Sequence, residues 1–354
     1  MTSVPHGCGV PWRAGASRHR LAGLGVSGVA RRNSSLVPPG GGTPCPVGIP
    51  NVPLTAHPPT ATTMPDAIGE SSVRLLLNEG IRRLAAAGMG SARQEAEWLL
   101  AHLLGTSPLE LYLQECALPP PIARQFLAHI EARARGVPLQ YLLGEAEFFG
   151  ERFIVEPGVF IPRPETETVV EAALRALRPR AAREGPLRIA DLGTGSGCIA
   201  VTVARALAAC VVIGVEVSWM ALCVAQRNVL RHGLAERVQL IHGRWTRPLR
   251  GPLDAIIANP PYIPSRQVDR LPCDVRQEPR MSLDGGHDGL RDLLQLLQEA
   301  QHLLRPGGLL AMECAEDQMD ALIQVASAAS WVEQVTPLRD LAARPRGILL
   351  DARR

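Results

Sequence analysis

Ile189-Ala-Asp191-Leu-Gly193-Thr-Gly195-Ser-Gly197-Cys-Ile-Ala200 joins a short apolar run to a glycine-rich loop and then to the start of a second apolar segment. Glycine allows a sharp turn and lets the backbone approach a ligand without interference from a Cβ atom. The glycines are spaced G-x-G-x-G, which differs from the G-x-G-x-x-G loop of dinucleotide-binding proteins. This stretch therefore predicts a buried strand, a ligand-binding loop and the first turn of a helix.

Apolar segments of strand and helix length alternate along the chain around this loop. Such alternation is typical of an α/β protein whose mainly parallel sheet is covered by helices on both faces. We therefore predict a doubly wound, seven-stranded sheet. The last strands lie close together in sequence, so we expect an antiparallel edge. The predicted strands are residues 187–192, 210–215, 238–242, 255–258, 309–313, 332–337 and 348–351.

A second motif, Asn259-Pro260-Pro261-Tyr262, directly follows the apolar run 253–258. Two successive prolines form a stiff turn that has no backbone N–H to donate. The Asn259 side-chain oxygen and the Pro260 carbonyl can each accept one hydrogen of a planar NH2 group, and the Tyr262 ring can cover its flat face. The motif thus favours a site for a planar NH2 group, although a plain turn at the end of a strand is the alternative.

An acidic residue, Glu216, ends the strand that follows the glycine loop, about 20 residues further along the chain. A carboxylate at this position can accept hydrogen bonds from both hydroxyls of a ribose. Asp191 is placed either to support the loop or to contact a cationic group of the ligand. The loop and Glu216 alone leave a nicotinamide or flavin cofactor open. Together with the motif at 259–262 they favour S-adenosylmethionine.

The chain divides into four regions. Residues 1–63 are rich in Pro, Gly, Ser and Thr, which predicts disorder. We interpret them as a non-native or dispensable extension before Met64, with an organellar transit peptide as the alternative. Residues 64–137 predict a helical bundle that either recognises a partner or only packs, and residues 138–160 predict a β-hairpin linker. The predicted helices cover about 72–87, 92–104 and 122–135, with a further one starting at Pro108.

Composition narrows the classes of partner. Residues 1–63 hold five of the 37 basic residues and no acidic one, which leaves 32 basic against 34 acidic residues in the rest of the chain. That balance predicts no direct binding to nucleic acid. The eight cysteines form no C-x-x-C pair and no zinc spacing, so we expect no metal site and a reducing compartment. No apolar run is long enough to predict a membrane span.

Four stretches of the sequence together resemble one family. Ile161-Pro-Arg-Pro-Glu-Thr-Glu167 and Pro138-Leu-Gln-Tyr-Leu-Leu-Gly-Glu-Ala-Glu-Phe-Phe-Gly150, joined with the two motifs above, are similar to the PrmC/HemK family of release factor glutamine N5-methyltransferases. Agreement extends to Arg305-Pro-Gly-Gly308 and Arg339-Asp-Leu-Ala342 and covers residues 68–354. The resemblance implies a class I methyltransferase fold with S-adenosylmethionine as methyl donor. Residues 161–354 would then be the methyltransferase domain.

The resemblance also implies a role for each motif. The loop residues Gly193, Thr194, Gly195, Ser196 and Gly197 would hold the methionine part of the cofactor, Glu216 its ribose and Trp245 its adenine. Asn259, Pro260, Pro261 and Tyr262 would hold the substrate glutamine, with Asn259, Pro260 and Tyr262 as catalytic groups and Asn259 also beside the cofactor. Two positions depart from the family pattern. The family often has Asp where this chain has Glu216, and it commonly has Asp or Ser where this chain has Arg244.

The family implies that the substrate is the glutamine of a Gly-Gly-Gln loop in peptide chain release factors. Three alternatives stay open from the residues: a ribosomal-protein glutamine methyltransferase, a nucleic-acid amino-methyltransferase, and an inactive adaptor that docks through the helical bundle. We expect a cytoplasmic monomer that binds no membrane.

Overall fold

The computed structural model describes residues 71–113 and 117–354. The predictions for residues 1–63 lie outside the described residues. None of the helices described is long and apolar enough to cross a membrane.

The region after residue 70 begins with helices that enclose a core of their own. The buried side chains of this core come from all three long helices and include Leu84, Leu99 and Phe126. The first helix begins where expected, because the Ser72 hydroxyl accepts the Leu75 N–H at its N-terminus. The elements are β1 (Ser71–Ser72), α1 (Val73–Ala86), α2 (Ala92–Leu104), β2 (Ala117–Leu118) and α3 (Pro120–Ala134), with β1 and β2 paired antiparallel.

Two predictions for this part of the chain need correction. Pro108 does not open an α-helix; a single 3-10 turn forms instead at Glu110–Leu113. The predicted hairpin linker starts with a short helix, α4 (Leu139–Leu143), before β3 (Glu145–Phe148) and β4 (Glu151–Ile154) form the hairpin. Pro138 precedes this helix and Gly144 ends it with a left-handed backbone, so the aromatic and aliphatic residues between them form one helical turn.

The rest of the chain forms a seven-stranded sheet in the order β10-β11-β9-β8-β5-β6-β7. Neighbours from β9 to β7 are parallel, and β11 is antiparallel to both β9 and β10, which confirms the predicted sheet with its antiparallel edge. The strands are β5 (Leu187–Leu192), β6 (Cys210–Glu216), β7 (Val238–His242), β8 (Leu253–Ala258), β9 (Leu304–Glu313), β10 (Val332–Arg339) and β11 (Pro345–Ala352).

Helices cover both faces of this sheet, as a doubly wound fold requires. One core layer contains Val170, Leu174 and Val203, and the other contains Leu293, Leu296 and Leu322. The strands β5 and β8 are buried along most of their length because both of their faces are covered. The helices are α5 (Pro164–Glu184), α6 (Cys198–Ala206), α7 (Trp219–Arg231), α8 (Ser265–Val268), α9 (Arg291–Ala300) and α10 (Met319–Ala328).

The chain reverses its direction of travel across the sheet between β5 and β8. After β5 it adds β6 and β7 on one side, and it then returns to place β8 on the other side of β5. Ligands of open α/β sheets bind at the carboxyl ends of the strands beside such a switch point. Leu192 lies opposite Ala258, so the glycine loop and the motif at 259–262 leave the sheet from adjacent strands at the same edge.

Candidate active site

A cavity of about 420 Å³ lies above the carboxyl ends of the central strands. This volume is within the usual range of small-molecule sites. Most of the residues that the sequence assigned to a ligand meet in this one cavity. Its lining includes Gly193, Thr194, Gly195, Ser196, Glu216, Trp245, Asn259 and Pro261, together with Phe160, Thr166, Met281 and Asp292.

The glycine loop is held by the backbone of the neighbouring strand. The N–H groups of Gly193 and Thr194 both donate to the carbonyl of Val215, at 2.9 and 3.0 Å. Gly193, Gly195 and Gly197 have φ values of 76, 56 and 82°, a region that glycine adopts without strain. Gly197 ends the loop as the residue before α6.

Asp191 supports the loop from below. Its Oδ2 accepts the Thr194 hydroxyl at 2.5 Å and the Ala200 N–H at 3.0 Å, and the side chain is buried. Burial raises the pKa of Asp191 to about 7, although these two hydrogen bonds oppose the shift; the nearby Glu216 adds to it. Of the two roles considered for Asp191, the structure shows support of the loop.

A residue that the sequence analysis missed, Asn228 of α7, ties the loop to the hairpin. Its side-chain amide donates to the carbonyls of Ser196 and Ile154 at 2.8 and 3.0 Å and accepts the Ile154 N–H at 2.8 Å. Asn228 is completely buried. An isolated Asn in a helix carries no sequence signal for such a role, because only the fold brings its partners together.

Glu216 extends from the end of β6 back towards the loop. Its Oε2 accepts the Gly195 N–H at 2.9 Å and its Oε1 accepts the Ser218 N–H at 2.8 Å. A carboxylate offers about four lone-pair directions, so each oxygen retains one for a further donor. Glu216 therefore has the capacity to accept two hydroxyl groups in the cavity.

Trp245 lies on the other side of the loop, where its ring would be 3.1 Å from a Cβ atom placed on Gly193. Its φ is 50°, a strained value for a bulky residue. Asp292, which is 1% exposed, accepts the Trp245 indole N–H at 3.2 Å and pairs with Arg244 and Arg291 at 3.3 and 2.7 Å. Asp292, which the sequence analysis missed, therefore holds Trp245 and the two arginines together beside the loop.

Asn259 extends into the cavity from the end of β8. Its Nδ2 donates to the Thr166 hydroxyl oxygen at 2.9 Å. Neither Asn259 Oδ1 nor the Pro260 carbonyl accepts a hydrogen bond from the described residues. Two acceptors in the motif are therefore free to bind donors of a ligand.

Pro260 and Tyr262 lie outside the lining of the cavity. The Tyr262 ring packs against the core, and its hydroxyl donates to Glu313 Oε1 at 2.8 Å. Burial, followed by the negative charge of Glu313, raises the pKa of Tyr262 well above its ordinary value. The predicted contact of Tyr262 with an amide plane stays a prediction.

The segment of residues 284–289 packs directly against the motif at 259–262. A Cβ atom on Gly285 would lie 2.7 Å from the Pro261 carbonyl oxygen, and one on Gly289 would lie 2.2 Å from that of Tyr262. Gln318 donates to the same Tyr262 carbonyl at 2.8 Å. The two glycines therefore allow the backbones to approach closely enough to fix the turn after β8.

The segment between β8 and α9 also joins the cavity to the helical bundle. Met281 lines the cavity, while Asp274 of the same segment pairs with Arg133 of α3 at 3.3 Å. Arg133 is largely buried and also pairs with Glu95 of α2 at 2.5 Å. One segment of the chain therefore contacts the helical bundle and also forms part of the wall of the cavity.

Comparison with known proteins assigns the family. Residues 76–144 match the PrmC N-terminal domain, and residues 152–272 match the methyltransferase small domain. The chain is 47% identical to a release factor glutamine methyltransferase of Moorella thermoacetica, over 78% of this chain and 98% of that protein. It is 40% identical to the protein of the same name from Geobacter sulfurreducens, over 78% of this chain and 94% of that protein. This chain belongs to the release factor glutamine methyltransferase family.

The fold agrees with this family. The sheet is that of a class I methyltransferase, and S-adenosylmethionine is the methyl donor. A solved METTL16 methyltransferase domain is 17% identical, with a TM-score of 0.45 over 58% of this chain and 90% of that chain, which adds nothing to the assignment.

The cavity of this family member fits S-adenosylmethionine. Ser196, which is buried and lines the cavity, has a hydroxyl without a hydrogen-bond partner among the described residues. Glu216 has free acceptor capacity beside it, and Trp245 offers an aromatic surface across the loop. The donor set therefore provides polar contacts for hydroxyls and charged groups and an apolar contact for a base. Among the described residues no group of three or more His, Cys, Asp or Glu could hold a metal ion.

Proposed function

We propose that this protein methylates the side-chain amide nitrogen, N5, of the glutamine in the Gly-Gly-Gln motif of peptide chain release factors. The observation that carries the proposal is the pair of adjacent strand ends. The loop 193–197 and Asn259 leave β5 and β8 side by side, so a methyl donor and a planar NH2 group bound there would meet in one cavity. The relatives' names give the substrate.

Our proposal assigns the methyl donor to one end of the cavity. The loop residues Gly193 to Gly197 hold its methionine part, Glu216 its ribose and Trp245 its adenine, with Asn259 near the reacting methyl. Asp292 holds Trp245 in place through the hydrogen bond that it accepts from the indole N–H. S-adenosylmethionine supplies an electrophilic methyl group when it is bound.

The protein's contribution to the chemistry comes from the motif at 259–262. An amide nitrogen is a poor nucleophile because its lone pair is delocalised into the carbonyl group. Asn259 Oδ1 and the Pro260 carbonyl each accept one N–H of the substrate amide and so direct its nitrogen. These hydrogen bonds strengthen as positive charge develops on that nitrogen, which favours the transition state over the ground state. Pro261 stiffens the turn, and Tyr262 supports the amide plane.

A methyl-transfer assay with labelled S-adenosylmethionine tests the substrate. The acceptors are a purified release factor, its Gln→Ala variant in the Gly-Gly-Gln loop, a ribosomal protein fraction and duplex DNA. We expect label on the wild-type release factor only. Label on the ribosomal fraction or on DNA would replace the proposed substrate, and label on the Gln→Ala variant would refute the proposed residue.

Substitution Asn259→Ala tests the role of the motif. We expect kcat to fall about 10²- to 10³-fold, as for loss of one group that binds developing charge, and the cofactor Kd to change less than about threefold. Equal losses in kcat and in cofactor affinity would contradict this role. We also infer that the protein is a cytoplasmic monomer. Size-exclusion chromatography with light scattering measures its mass in solution and so tests whether it is a monomer.

A further inference from the structure

Two hydrogen bonds between side chains lie behind the motif, one made by Asn259 and one made by Tyr262. Asn259 follows β8, Glu313 ends β9, and the register of Ala258 with Met312 places these two positions side by side. Thr166 lies in the first turn of α5 and is 3% exposed, and Glu313 is 2% exposed. Asn259 Nδ2 donates to Thr166 Oγ1 at 2.9 Å, and the Tyr262 hydroxyl donates to Glu313 Oε1 at 2.8 Å.

The contact with Thr166 decides which end of the Asn259 amide faces the cavity. A hydroxyl has one proton and two lone pairs, so Thr166 can either accept from the NH2 end of the amide or donate to its oxygen. In the structure the Thr166 oxygen accepts from Asn259 Nδ2, and Asn259 Oδ1 has no donor among the described residues. With Nδ2 bound to Thr166, the oxygen of the amide stays available as an acceptor.

We propose that Thr166 is the positioning residue that fixes the amide of Asn259 with its oxygen towards the substrate. With the opposite orientation, Asn259 would present an NH2 group to the NH2 group of the substrate, and two donors cannot bond to each other. This inference rests on the proposed function of Asn259. It gives the Pro-Arg-Pro-Glu-Thr-Glu stretch around Thr166 a role that the sequence alone did not suggest.

The test compares Thr166→Val with Thr166→Ser. Val keeps the shape of Thr but has no hydroxyl, so the amide of Asn259 loses its anchor while packing is preserved. We expect Thr166→Val to lower kcat about 10- to 100-fold, with less than about threefold change in the KM for release factor and in the cofactor Kd by calorimetry. Thr166→Ser keeps the hydroxyl and is expected to retain activity within about threefold of wild type.

Thr202→Val is the matched control. Thr202 lies in α6, is buried, and its hydroxyl has no hydrogen-bond partner among the described residues, so its removal should leave kcat unchanged. A second check combines Thr166→Val with Asn259→Ala. If Thr166 acts through Asn259, the double variant is no slower than Asn259→Ala alone.

The outcomes separate this inference from the proposed function. Three results would each overturn the positioning role. The first is a Thr166→Val variant with the kcat of wild type, and the second is a Thr166→Ser variant as slow as Thr166→Val. The third is a double variant whose losses in kcat are fully additive. Those results leave the methylated substrate unchanged. A wild-type enzyme that transfers label to a different NH2-bearing substrate overturns the proposed function alone, and the same variants are then measured with that substrate.

Discussion

Replacing Asn228 by Ala should weaken both the fold and cofactor binding, because this side chain holds the glycine loop to the hairpin. The substitution removes three hydrogen bonds, two to Ile154 and one to the Ser196 carbonyl. At about 1 kcal/mol each, their loss lowers the free energy of unfolding by about 3 kcal/mol. Stranded polar groups around a fully buried site can raise the total to about 5 kcal/mol.

Differential scanning calorimetry measures the effect on stability. A loss of about 3 kcal/mol corresponds to a Tm lower by about 6–12 °C in a domain of this size. Asn78→Ala is the matched control, since Asn78 is exposed on α1, and its Tm should stay within about 2 °C of wild type. The cofactor Kd of Asn228→Ala should rise about tenfold, because the loop loses the tether at Ser196. A Tm equal to that of the control variant would refute the assignment of Asn228 as the link between loop and hairpin.

Two further predictions concern buried carboxylates. Asp292→Asn should raise the cofactor Kd about tenfold in calorimetry with little change in kcat. The amide of the new Asn side chain cannot accept hydrogen bonds from both Trp245 and the two arginines. An unchanged Kd would contradict the role of Asp292. Glu313→Gln should flatten the pH dependence of stability between about pH 4.5 and 7. Burial raises the pKa of Glu313 to about 7, against hydrogen bonds from Thr166 and Tyr262; Glu165 adds to the shift and Arg346 opposes it. The folded state thus holds a proton that the unfolded state releases. Up to about 3 kcal/mol of the free energy of unfolding, present below pH 4.5, is therefore lost as the pH rises to 7. Urea unfolding at pH 5 and 8 checks this, and an unchanged pH dependence in the variant would refute it.

The sequence predicted the sheet well because the signals for it are local. All seven strands, and their alternation with helices, follow from apolar runs of strand length separated by helical segments. The short helix α4 was missed because five residues do not complete an apolar period that distinguishes a helix from a strand. Pro138 and Gly144 are the signals that could have found it.

The candidate site was predicted only where one motif contains the functional group. The glycine loop, Glu216 and Asn259 meet in the cavity because each follows a strand and parallel strands end at one edge. Thr166, Asn228 and Asp292 act on residues 93, 32 and 47 positions away in the chain. Nothing local to these three residues indicates such contacts, since they depend on which elements the fold places side by side.

The buried carboxyl of Glu313 has a cost that its protonation reduces. A carboxylate in an apolar core is destabilising, and burial raises the pKa of Glu313 to about 7, so the folded protein keeps a proton on this group in the acidic range. Its Oε1 accepts the hydroxyl of Tyr262, the last residue of the motif. An apolar residue at position 313 would remove the burial cost but would leave that hydroxyl without its partner. Glu313 therefore lowers the stability of the fold while it holds Tyr262 in place, as expected where a polar group serves function rather than stability.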